Sequence, residues 1–134
     1  MIVVHRIPVG DLGDDPPQYA VEPSERPGSA VARLLRATTR VPPSQPLVAV
    51  VRIGVLHSPD SIEVASAEWA ERRFTVVLIG ARSGEILGAD IVSYALVELP
   101  LEPLPAGTHI CAALLRWSDA AVEMESVEGE FTVE

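Results

Sequence analysis

The chain has 134 residues, enough for one domain whose core folds unaided. It is 48% hydrophobic and 22% charged, which excludes a disordered segment, and its formal charge of −9 argues against a nucleic-acid binder, because phosphate neutralisation needs a basic face. Aromatic residues make up only 4%, so Val, Leu, Ile and Ala must build the interior.

All ten basic residues are Arg, and Asn is absent along with Lys. Codons for both missing types are A/T-rich, so a high-GC bacterial genome explains the bias; adaptation to high temperature is the second reading. Cys111 is the one cysteine, which rules out an internal disulfide and suits a reducing cytosol. The opening "MIVVHRIPVGDLGDD" lacks the long apolar region of a signal peptide. No apolar run reaches the ~20 residues needed to span a bilayer. A soluble, cytoplasmic protein without a membrane partner is expected.

In chain order, residues 2–9 alternate loosely and favour β-branched types, which predicts a first strand. Residues 10–28, "GDLGDDPPQYAVEPSERPG", crowd Gly, Asp and Pro together and read as a long loop. Residues 29–39 have helical spacing. Ser29 stands where a cap is needed; Val31, Leu34, Leu35 and Thr38 share one face, and Arg33, Arg36 and Arg40 fall opposite. "VPPSQP" ends the helix, because a residue before proline avoids the α region.

From Leu47 the texture changes. "LVAVVRIGVLH" is a strand buried on both faces or bent at Gly54. In "SIEVASAEWAERRFTVVLIGA" the spacing of Ile62, Ala65 and Trp69 suits a helix, and Asp60 with Glu63 mimics a capping box. The alternation of Ile62, Glu63 and Val64 and the β composition of "FTVVLIGA" favour a hairpin joined by "AERR". "RSGE" turns the chain into "ILGADIVSYALVEL", and "PLEPLPAG" breaks it again. "THICAALLRW" is the next strand, and "AAVEMES" and "GEFTVE" finish the sheet. This punctuation predicts a mainly β, single-domain β-sandwich or partly open barrel of about seven to eight strands with one short amphipathic helix.

Motifs for chemistry are sparse. "LPAGTHI" resembles the second motif of the cupin family, which would imply a metal-binding role for His109. His109 stands one position closer to Gly107 than that motif has it, and no His-x-His precedes it, so a Pro-Gly turn launching a strand fits better. His5, His57 and His109 lie in or beside predicted strands that a sandwich can bring together around a metal, but none forms a close His pair. Cys111 shares a strand face with His109 and would be a nucleophile if that histidine lowered its pKa; its neighbours "ICAALL" read as core. Asp11, Asp14 and Asp15 offer carboxylates on a loop, as calcium sites do, without EF-hand spacing or the second aspartate-rich loop of a C2-type sandwich. Nucleophile-elbow, Walker and dinucleotide patterns are missing, so neither an enzyme nor a cofactor is expected.

The acidic end "VEMESVEGEFTVE" carries the positive signal. Val127, Gly129, Phe131 and Val133 alternate with Glu128, Glu130, Thr132 and Glu134, while Val122 and Met124 oppose Glu123 and Glu125. A strand packed on one side explains the apolar half. It does not explain why every charge after Arg116 is negative, since mixed signs solubilise equally well and like charges in a row repel. The sequence therefore points to a non-enzymatic acidic module that regulates or inhibits a protein partner with a basic surface, through Glu123, Glu125, Glu128 and Glu130. In architecture the chain is similar to bacterial sandwich domains, among them small acidic inhibitor and immunity proteins, and no residue is carried over from that likeness. Two other readings are a metal- or ligand-binding barrel using the histidines, and a homo-oligomer joined through an edge strand.

Overall fold

The computed structural model describes residues 1–82, 91–118 and 124–134, and among them nine strands and one α-helix form two sheets. The strands are β1 (Val3–Pro8), β2 (Tyr19–Pro23), β3 (Arg40–Val41), β4 (Leu47–Leu56), β5 (Ser61–Ala70), β6 (Arg73–Ala81), β7 (Ser93–Leu101), β8 (Gly107–Trp117) and β9 (Met124–Val133), with α1 at Ala30–Arg36. One sheet has the order β1-β7-β4-β2, and the other has β3-β9-β8-β6-β5. The fold is mainly β and consistent with a sandwich. Among the described residues no helix is long and apolar enough to cross a membrane.

The core lies where the inner faces meet. Val51, Ile53, Val97 and Leu99 of the four-stranded sheet pack with Val76, Leu78, Leu115, Trp117 and Phe131 of the five-stranded one. Two glycines let the layers close. Gly54 has φ +75° and marks a register shift between Ile53 and Val55 against β7; a Cβ there would lie 2.6 Å from Leu115. Gly129 lies under the Tyr19 ring, whose hydroxyl donates to the Glu130 carbonyl at 2.7 Å. Between β5 and β6 the hairpin turns on Glu71 and Arg72, both at positive φ (47° and 67°), the conformation of a type I′ turn.

The stretch expected as one long loop, 10–28, holds a 3-10 turn at Val9–Leu12 and the strand β2. Glu22 disguises that strand. A carboxylate in a five-residue run suggests solvent, yet Glu22 is fully buried on the outer face of the four-stranded sheet. Arg33 donates to it at 2.8 Å, Arg36 through both Nε (3.0 Å) and Nη2, and Arg26 lies at 3.5 Å. Burial alone would raise this carboxyl's pKa; the hydrogen bond and charge of Arg36, with Arg33 and Arg26, outweigh it and hold the group below its ordinary range.

The same cluster turns the helix. α1 is shorter than the expected 29–39, because Ala37 swings into the left-handed region (φ 52°) and its N–H closes on the Leu34 carbonyl. Ser29 caps the other end by accepting from Ala32 N–H. The buried side is Ala30, Arg33 and Leu34, not Val31, Leu34 and Leu35; Leu35 is 46% exposed and Arg33 only 7%. Two arginines expected to face water are drawn inward by Glu22. Leu12, Ala30 and Leu34 then cover Val50 and Leu96, so the outer face of the four-stranded sheet is itself a small core.

Candidate functional site: the outer face of the five-stranded sheet

The other outer face is built differently. Pairing registers place its side chains in rows across β5, β6, β8 and β9. One row runs Glu63, Ile79, Arg116, Met124; the next Ser66, Val77, Leu114, Ser126; then Glu68, Thr75, Ala112, Glu128; and then Ala70, Arg73, Ile110, Glu130. The centre is thus apolar: Val77, Ile79, Ile110 and Leu114 are half-buried, and Ala112 is fully buried between them. Exposed glutamates stand on both flanks, Glu63 and Glu68 on β5 and Glu128 and Glu130 on β9. Against these four carboxylates the same rows carry two guanidinium groups, Arg73 and Arg116. Arg73 is bonded to Glu128, and no ion pair joins Glu63, Glu68 or Glu130 to another described residue.

The acids singled out from the sequence do not form one surface. Glu128 and Glu130 lie on this face. Glu125 does not, because β9 runs without a bulge from Met124 to Val133 and strict alternation sends residue 125 to the inner side. There it lines a cavity of about 380 Å³ at the end of the sandwich with Gln18, Arg52, Gly54 and Tyr94. Glu123, like Val122 and most of "ILGADIV", lies outside the described residues. Glu63 and Glu68 were missed as members of the face. Their alternation was legible in the sequence, but nothing in it says that β6 and β8 lie between them and the C-terminal strand.

The remaining candidates are dispersed. His5 is hydrogen-bonded to Glu98 at 2.8 Å on the four-stranded sheet. His57 follows β4, and its backbone N–H donates to Asp60 at 2.9 Å. His109 is 1% exposed on the inner face of β8, stacked on Phe131 (centroids 5.6 Å apart) with Trp69 5.9 Å away. Its Nε2 lies 2.7 Å from the Pro105 carbonyl, which can only accept, so Nε2 carries the proton and the buried Nδ1 has no partner. Among the described residues no group of three or more His, Cys, Asp or Glu side chains could hold a metal ion. Asp11, Asp14 and Asp15 are exposed.

Cys111 lies two positions beyond His109 on the same inner face, but it is fully buried and its thiol donates to the Gly129 carbonyl at 3.6 Å. Burial pushes the thiol pKa up to about 12, which keeps it protonated near neutrality and unfit as a nucleophile. A second cavity, of about 430 Å³, opens between Trp69, Phe74 and the Pro100–Pro105 segment; Glu102 is its charged lining residue.

Comparison with known proteins adds nothing to this geometry. No family model, curated protein or solved structure matches the chain. The functional reading rests on the surface itself.

Proposed function

We propose that this protein is a non-enzymatic binding module that captures a protein partner with a basic surface on the outer face of its five-stranded sheet. One observation carries the reading: an apolar centre of Val77, Ile79, Ile110 and Leu114, flanked on both sides by glutamates, on a sheet face that no described helix covers. Apolar area at the middle and charge at the rim is the anatomy of a protein interface. The formal charge of −9 extends the attraction beyond contact range and selects a cationic partner. Regulation or inhibition of that partner is the work such a module would do.

The test compares two variants of equal charge change. Glu63→Gln with Glu68→Gln and Glu130→Gln neutralises the face; Asp11→Asn with Asp14→Asn and Asp15→Asn neutralises the loop. Captures from a lysate of the source organism should hold a basic protein on the wild type and the loop variant and lose it on the face variant. Equal retention by both variants contradicts the proposed face.

A further inference from the structure

Resting on that docking reading, we infer how the partner is gripped: an extended basic segment adds to β5 as a sixth strand of the five-stranded sheet. β5 ends the strand order, and its edge away from β6 pairs with no strand among the described residues, although β1 of the other sheet lies close to it. That edge presents a row of N–H and C=O groups along ten residues, all exposed except the half-buried Ile62. The other edges are closed or short. β2 is tied to the chain after α1 by Val21 N–H donating to the Thr38 carbonyl, β3 has two residues, and β1 has six and ends in proline.

Edge strands are ordinarily guarded by proline, by basic side chains or by shortness. β5 has neither proline nor arginine; its guards are one irregularity between Val64 and Ser66 and the acids Glu63 and Glu68. Those acids choose the occupant. An antiparallel second copy centred on the strand brings Glu63 of one chain towards Glu68 of the other, between molecules that each carry −9. A basic strand meets the same two carboxylates as counter-charges.

The two faces of β5 then specify the segment. Cross-strand partners put Ser61, Glu63, Ser66 and Glu68 on the outer side, and Ile62, Val64, Ala67 and Trp69 on the inner side. The four-stranded sheet leaves that inner side partly uncovered: Val64 is 37% and Trp69 40% exposed. An added strand fits if it alternates, with cations beside Glu63 and Glu68 and apolar residues beside Val64 and Trp69. Main-chain bonds supply the affinity and the alternation supplies the selectivity.

The probe is a synthetic ten-residue peptide of alternating arginine and valine, blocked at both ends, with two versions N-methylated on one or the other alternate set of amides. Binding should slow amide exchange at residues 61–70, and one methylated set should weaken binding at least about tenfold, because it removes the bonds along one peptide edge. Glu63→Gln with Glu68→Gln should weaken the unmethylated peptide and flatten its salt dependence. Failure of the peptide to bind overturns the inference, as does indifference to both methylated sets. Binding that is lost in Glu130→Gln while residues 61–70 exchange as in the free protein overturns strand addition and leaves the docking face standing. Slow exchange at residues 61–70 in the free protein, together with dimers in sedimentation, gives the edge to a second copy and also overturns it.

Discussion

The two outer faces of this sandwich use similar strands to opposite ends. On the four-stranded sheet, Val50 and Leu96 are covered by Leu12, Ala30 and Leu34, and even a carboxylate, Glu22, is sealed in by arginines from the helix and from the segment before it. On the five-stranded sheet, Val77, Ile79, Ile110 and Leu114 have no such cover among the described residues, and the nearby carboxylates face water. The difference teaches where apolar surface is structural and where it is available. Covered valines and leucines answer to stability; the uncovered ones are those we propose for a partner.

The sharpest break in the comparison comes from the covered side. Glu22→Ala should destabilise by ~3–5 kcal/mol in urea unfolding, because Arg33 stays buried without its counter-charge. Leu34→Ala should cost ~2–5 kcal/mol by opening a cavity over Val50 and Leu96. Arg36→Ala, harmless if that side chain faced water, should lower the urea midpoint, though less than Glu22→Ala does, since it strips charge-assisted hydrogen bonds from a buried carboxylate.

Acid sharpens the same point. The folded Glu22 carboxyl titrates below its unfolded value, so the unfolded chain takes up the proton first. The stability this group contributes is complete above the unfolded pKa and is lost as pH falls through the lowered folded value. Melting temperatures followed from neutrality to below about pH 4 should therefore drop less for Glu22→Gln than for the wild type, from a lower starting point. Parallel curves would mean that the arginines do not favour the ionised form.

The smallest expected effect on stability belongs to the open face. Val50→Thr buries a hydroxyl among apolar neighbours and should cost ~1–3 kcal/mol. Val77→Thr makes the same change on the open face, where water can reach the hydroxyl, and should stay within ~0.5 kcal/mol of the wild type. Equal costs would show that the five-stranded sheet is covered after all.

Much of the fold was legible in the sequence, because period-2 alternation, turn residues and a capped helical segment are local signals. The inward set Val127, Gly129, Phe131 and Val133 follows from alternation alone. Local signals fail where the deciding contact is distant. β2 was hidden because the arginines that make Glu22 tolerable inside lie on another element, and the facing of α1 was misjudged for the same reason. Glu125 joins Glu128 and Glu130 on one side only if the segment is interrupted, and from Met124 on it runs as one strand. The proposed docking face is half legible: Glu128 and Glu130 stand out as acids, whereas Glu63 and Glu68 join them only through the order β9-β8-β6-β5. Strand order is a long-range property, and no short stretch of sequence encodes it.

The central claim is that the glutamates flanking the open sheet meet a basic partner. Its most direct test is the association rate of the captured partner at several salt concentrations, measured for the wild type and for Glu63→Gln with Glu68→Gln and Glu130→Gln. Exposed rim charges act mainly on encounter, so the variant should associate more slowly and depend less on salt while its melting temperature is preserved. Association rates that match the wild type at every salt concentration would contradict the account.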